Sequence, residues 1–161
     1  MQIPKSLAPN FRWVQPKNSN RENTTAGELI CCGKQRFALE YEGEIKYSLW
    51  GKAYLSSQNE QITLTARCKE CGRKILIFDS ATMGYDRQRE TAKPGCGNTI
   101  ECRKCRENDF SVSIRLEYPE ESELRELDIP EPENAFSWIW VTLKCNKCGK
   151  KHQNFLDYET G

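Results

Sequence analysis

The sequence predicts a mainly β chain arranged as two tandem antiparallel units, each stapled by cysteines. Three observations carry this. Three C-x-x-C pairs recur along 161 residues. A segment is duplicated around them. The runs between the pairs alternate apolar and polar residues, the two-residue period of a half-buried strand.

The cysteines are Cys31, Cys32, Cys68, Cys71, Cys96, Cys102, Cys105, Cys145 and Cys148. Their odd number disfavours a secreted disulfide framework. So does the start, Met1-Gln2-Ile3-Pro4-Lys5, which lacks the apolar stretch of a secretory leader. The expectation is a cytoplasmic protein, where reduced thiols in this pattern bind metal. A C-x-x-C turn lets two thiolates reach one tetrahedral Zn²⁺ at about 2.3 Å. Two pairs run into glycine, Cys71-Gly72 and Cys148-Gly149, as a backbone turning sharply beneath a metal requires. A thioredoxin-type redox pair would instead open a helix in a βαβ unit.

In chain order, residues 1–27 hold Pro4, Pro9 and Pro16 and read as an irregular arm, with Phe11, Trp13 and Val14 available to dock it. The first copy of the repeat starts at Glu28. Its Phe37, Leu39 and Tyr41 form one strand; Ile62, Leu64 and Ala66 lead into Cys68-Lys-Glu-Cys71-Gly-Arg-Lys74, and Ile75 to Phe78 lead out. The turn-forming stretch from Phe78 to Asp86 reads as a strand exit. Arg87 to Lys93 mark a basic linker. The second copy starts near Ile100. Phe110, Val112, Ile114, Leu116 and Tyr118 alternate as a half-buried strand. Phe136 to Leu143 is apolar on both faces and predicts a strand covered on both sides, with Phe136, Trp138 and Trp140 in the core. Between them, residues 120–134 carry seven acids and one arginine, and Pro130 and Pro132 make this a solvated loop.

The copies match in spacing. Cys32 to Phe37 and Cys105 to Phe110 are both five residues; Cys71 to Phe78 and Cys148 to Phe155 are both seven. Cys32 to Cys68 spans 36 residues and Cys105 to Cys145 spans 40, a loop-sized difference. The copies differ at the first turn, where Cys31-Cys32 stands for a C-x-x-C shortened by two residues.

This layout of paired cysteines at hairpin ends resembles the zinc-ribbon family over residues 28–80 and 99–158. The resemblance implies that two cysteine pairs share one zinc in each copy. It implies fold and metal, not function. The fold class is therefore mainly β, with two tandem zinc-stapled antiparallel units. The division is an arm at 1–27, a first unit at 28–86, a linker at 87–98 and a second unit at 99–161. Each unit has about 60 residues, a size at which a core alone is marginal. Structural zinc supplies roughly 10 kcal/mol or more to such units.

The second site takes Cys102, Cys105, Cys145 and Cys148. His152, the sole histidine, aligns with Ile75 and reads as an ordinary strand residue. The first site takes Cys32, Cys68 and Cys71. Its fourth ligand is Cys31 by the repeat alignment, with Cys96 in Pro94-Gly95-Cys96-Gly97 the competing choice.

Four-cysteine sites leave no open position for water, so both zincs read as structural and the protein as non-enzymatic. No phosphate loop, G-x-S-x-G or H-E-x-x-H is present. A Cys/His nucleophile would need His152 beside Cys96 or Cys31. Cations crowd the cysteine turns, at Arg67, Lys69, Arg73, Lys74, Arg103, Lys104, Arg106, Lys144, Lys147, Lys150 and Lys151. The formal charge is +1, and two four-thiolate zincs bring it to about −3. These cations then offset the metal sites, which favours a protein partner. The alternative is a zinc-ribbon nucleic-acid-binding or transcription-associated factor.

Overall fold

The structure, a computed structural model, describes residues 2–15, 23–56, 61–85 and 97–160. Among the described residues, eleven strands and one α-helix follow in order, beside two short 3₁₀ turns at Ala8–Asn10 and Pro132–Asn134: β1 (Phe11–Trp13), β2 (Thr24–Leu29), β3 (Phe37–Glu42), β4 (Glu44–Tyr47), β5 (Ala53–Ser56), β6 (Thr63–Cys68), β7 (Lys74–Asp79), β8 (Asn98–Thr99), β9 (Phe110–Glu117), α1 (Glu121–Glu126), β10 (Trp138–Cys145) and β11 (Lys151–Glu159). Nine strands form one antiparallel sheet, and β4 and β5 form a separate hairpin.

The duplication survives in the pairing register. In the first copy β3, β6 and β7 are neighbours; in the second, β9, β10 and β11. Phe37 lies opposite Cys68 as Phe110 lies opposite Cys145. Ala66 lies opposite Ile75 as Leu143 lies opposite His152. Period-two alternation sets the buried face: Phe110, Val112, Ile114 and Leu116 are at most 2% exposed.

The copies are joined rather than strung in line. Phe37 of β3 pairs with Phe110 of β9, so equivalent residues meet in antiparallel fashion about a local two-fold. Each copy also lends a strand to the other. β2, which precedes the first cysteine turn, runs along β9 with Glu28 opposite Ser113 and Gly27 opposite Ile114. β8, which precedes the second, runs along β3 with Thr99 opposite Glu40 and Asn98 opposite Tyr41. These are equivalent positions of the repeat. The β4–β5 hairpin, an insert of the first copy, packs on β11 of the second. One core results, centred on the fully buried Phe37, Phe78, Phe110, Phe136 and Phe155.

The structure departs from the sequence reading in three places. Residues 1–27, read as irregular, contain β1 and most of β2; Phe11 lies opposite Leu29, which docks the arm. Its N-terminal part is pinned by Thr25 Oγ1, which donates to the Gln2 carbonyl at 3.1 Å. β2 therefore begins ahead of residue 28. The acidic connection, read as a loop, forms α1 before Pro130, with Leu124 buried as its anchor. Finally, β10 is not covered on both faces. Phe136, Ile139, Val141 and Leu143 are buried, but Trp138 and Trp140 lie on the opposite face and are half-buried. They stack at 5.2 Å between ring centroids, and the Arg115 guanidinium sits 4.0 Å over Trp140. Trp138 Nε1 donates to Asp157 at 2.7 Å. The two indoles cover one another instead of being covered by a second layer.

The linker through residue 96, and Cys96 with it, lies outside the described residues. Phe78 to Tyr85 is a strand exit, as read. Asp79, fully buried, accepts from Gln61 Nε2 at 2.8 Å, Ala81 N at 2.9 Å and Thr82 Oγ1 at 3.2 Å.

Candidate metal centres

The three C-x-x-C turns share one backbone plan. The N–H of the first cysteine donates to the carbonyl five residues on: Cys68 to Arg73 at 2.9 Å, Cys102 to Glu107 at 2.8 Å, Cys145 to Lys150 at 2.9 Å. The residue after the second cysteine donates back to the first cysteine's carbonyl, at 2.8–2.9 Å in Gly72, Arg106 and Gly149. This closes a tight loop that turns both sulfurs to one side. It demands a left-handed residue after the second cysteine, and the φ values are +76° at Gly72, +73° at Gly149 and +65° at Arg106. The first two use glycine. The third uses an arginine held in a strained conformation.

The fourth turn is built differently. Cys31 and Lys34 exchange both backbone hydrogen bonds at 3.0 Å, and Cys32 and Gly33 between them have φ of +54° and +69°. Left-handed conformations at both central residues make a two-residue hairpin of the primed type. That is the physical meaning of the missing two residues. The shorter turn still delivers two thiols, with the sulfurs of Cys31 and Cys32 4.0 Å apart.

Two clusters of four thiols result among the described residues: Cys31, Cys32, Cys68 and Cys71, and Cys102, Cys105, Cys145 and Cys148. Within each, the sulfurs lie within 4.8 Å of one another. The Sγ–Sγ distances are 4.0 Å for Cys31–Cys32, 3.6 Å for Cys31–Cys71, 3.6 Å for Cys102–Cys148 and 3.5 Å for Cys105–Cys145. A tetrahedron with zinc–sulfur bonds of 2.3 Å has edges of about 3.8 Å. Donor number, donor type and spacing therefore fit one structural Zn²⁺ per cluster. In the first cluster Cys31 stands at the fourth corner.

The centres differ in exposure. Each has two buried thiols, Cys31 and Cys68 in the first and Cys102 and Cys145 in the second; the other two are exposed in the first, at Cys32 and Cys71, and half-buried in the second. In each, one thiol is already inclined to ionise. Cys71 is lowered to about 7, chiefly by the Arg73 backbone N–H. Cys102 is opposed by its burial, yet N–H groups of Cys105 and Lys104 and the His152 ring hold it at about 6. Cys31 is pushed up to about 12 by burial. His152 thus stands beside a ligand thiol rather than in the metal-binding group, with its ring edge-on to Phe110 at 6.0 Å. Zinc binding would displace the protons these thiols share.

Several cations around the turns have local partners. Lys147 pairs with Glu107 at 2.7 Å, Lys74 with Glu40 at 3.4 Å, and Arg36 with Asp109 at 2.6 Å. Lys69 Nζ donates to the Asn108 carbonyl at 3.3 Å. Asn146, its equivalent in the other copy, donates to the Gln35 carbonyl at 3.0 Å, so the two-fold extends to the side chains that flank the centres. Among the described residues, no helix is long and apolar enough to cross a membrane. Comparison of the chain with family models, curated proteins and solved structures finds no match.

Proposed function

We propose that this is a non-enzymatic, zinc-ribbon-like binding protein of the cytoplasm, which acts by engaging a protein partner as an adaptor or inhibitor. Two closed four-cysteine centres supply rigidity, not reactivity, because four thiolates leave no coordination position for a substrate or water. The observation that carries the choice of a protein partner is that several cations flanking the two centres are paired internally. Lys147, Lys74 and Arg36 are engaged by Glu107, Glu40 and Asp109. A phosphodiester chain needs a track of cations free to release counterions. The half-buried indoles weigh the same way: Trp140 is already stacked on Trp138 and carries the Arg115 guanidinium over its ring, contacts a stacking base would have to displace.

The test is direct titration of the zinc-loaded protein with single- and double-stranded DNA and RNA oligonucleotides at low salt, beside a nuclease-treated pull-down. No oligonucleotide binding, with a stoichiometric protein surviving nuclease, is the expected result. Low-salt nucleic-acid binding with a steep salt dependence would overturn the reading in favour of a nucleic-acid or transcription-associated factor.

A further inference from the structure

Most exposed apolar residues in a folded chain are isolated and ordinary. The tip of the β4–β5 hairpin is different. Leu49 is 104% exposed and Trp50 96%, with Tyr47 beside them at 58%. A fully exposed indole next to a fully exposed leucine is a large apolar surface left in water at one point.

The tip is held in place. Gly51 N donates to the Ser48 carbonyl at 2.9 Å, Ser48 N to the Lys52 carbonyl at 2.8 Å, and Lys52 N to Ser48 Oγ at 3.0 Å. Gly51 has φ of +73°, which closes the turn. Arg103, from the first C-x-x-C turn of the second centre, donates to the Gly51 carbonyl and lays its guanidinium 4.2 Å over the Tyr47 ring. At the other end, Ala53 and Leu55 are buried and fix the hairpin against β11. The display is thus tied to a zinc centre at one side and to the core at the other.

The charged side chains nearest the tip along the hairpin are cations. Residues 45–56 contain Lys46 and Lys52 and no acid, and Arg103 and Lys104 adjoin them.

We propose that the Leu49–Trp50 tip is the anchor by which the chain docks into an apolar pocket, rimmed by carboxylates, on a partner protein. This rests on the protein-partner reading above and names the surface that serves it. The hydrogen-bonded turn already fixes the backbone that carries the indole, so little backbone entropy remains to be lost when the side chain fills a shaped cavity. A bilayer rewards no such shape. The guanidinium nearest the tip is also turned onto Tyr47 and Gly51 instead of outward toward headgroups.

The experiment places a photo-crosslinking amino acid at position 50 and, in a second variant, at Glu126 on α1. Both are irradiated in soluble lysate, and the crosslinked peptide of the captured protein is sequenced. The pair is then rebuilt from two purified proteins. The expected result is one protein captured from position 50 only, through an apolar segment flanked by Asp or Glu. Trp50→Ala should weaken the purified complex roughly 100-fold. Lys46→Glu with Lys52→Glu should weaken it about tenfold, an effect that fades at high salt. Zinc content and melting should not change in any of these variants, because the altered side chains are not in the core. Capture from position 126 alone, or a complex indifferent to Trp50→Ala, overturns the proposal but keeps the protein-partner reading. Capture from neither position, with no nuclease-resistant partner, overturns both. Binding of the wild type to phosphatidylserine vesicles, lost in Trp50→Ala, overturns it in favour of a membrane.

Discussion

Phe37 and Phe110 hold the same position in the two copies, and each is the other's partner across antiparallel strands. Both are fully buried. A residue at a two-fold serves both halves, so its loss cannot be confined to one. Phe110→Ala should cost about 3–5 kcal/mol, the usual penalty for emptying a buried aromatic site. We expect one cooperative melting transition, shifted down as a whole, with both zincs lost together. Two transitions, one of them unshifted, would show that the copies fold independently. The strand exchange of β2 and β8 makes the same point by cutting the chain. Residues 87–161 alone lack β2, which covers one edge of β9, and should not unfold cooperatively even with zinc.

Arg106 offers a stability gain. Its φ of +65° is the conformation that Gly72 and Gly149 adopt at the matching positions. Left-handed backbone costs an L-residue roughly 1–2 kcal/mol relative to glycine. Arg106→Gly should therefore stabilise the protein by about 0.5–1 kcal/mol, once the greater freedom of glycine in the unfolded chain is subtracted. Gly149→Ala should destabilise it by a similar amount. No atom lies within 4 Å of a Cβ added at Gly149, so that cost comes from the backbone alone. Urea midpoints of the two variants should move in opposite directions. Movement in the same direction would remove backbone strain as the cause.

Both clusters and most core strands were legible in the sequence for a simple reason. C-x-x-C spacing fixes two ligands locally, and period-two alternation fixes which side of a strand is buried. The equal spacing of Cys32 to Phe37 and Cys105 to Phe110 also carried the register, since the strand after each turn has only one way to keep its phenylalanine inside. The exchange was not legible. Nothing in Thr24 to Leu29 distinguishes pairing with β9 from pairing with β3, because both partners present the same repeat positions. The core assignment of Trp138 and Trp140 failed because hydropathy counts an indole as interior, whereas here each covers the other and Asp157 takes the Nε1 hydrogen of Trp138. A signal for the odd first turn was present: Cys32-Gly33 between Cys31 and Lys34 has the two-residue length and trailing glycine of a primed hairpin.

The two centres should not release metal alike. Two thiols are buried in each, but the other two, Cys32 and Cys71, are exposed in the first, whereas Cys105 and Cys148 are half-buried in the second and His152 supports Cys102. Chelators and oxidants attack thiolates they can reach. A chelator titration followed by a zinc-sensitive dye should therefore show two phases of one zinc each. Cys32→Ser should remove the fast phase and leave one slow zinc, whereas Cys145→Ser, at a fully buried position of the shared core, should weaken the hold on both. A single phase of two zincs, or a fast phase that persists in Cys32→Ser, would reverse the assignment.

Asp109 ties the copies together at the surface. Its Oδ2 accepts from Arg36 at 2.6 Å and 3.1 Å, and its Oδ1 from Asn146 at 2.8 Å. Partial burial opposes its charge, but Arg36 and Asn146 outweigh burial and hold the carboxyl below its ordinary 3.8. A carboxylate depressed in the folded state gives stability that is complete above its unfolded value. That stability disappears only as pH falls through the folded value. Asp109 is then ionised in both states across pH 5 to 8. Asp109→Asn should cost about 1 kcal/mol, since Arg36 is half exposed and its attraction is screened. The difference in urea stability between wild type and variant should stay flat over that range. Any acid weakening near its lower end should be common to both proteins, and belongs to protonation of the zinc thiolates. A difference that shrinks from pH 7 to pH 5 would mean that Asp109 is protonated more easily in the fold than out of it, and would break the pairing on which this argument stands.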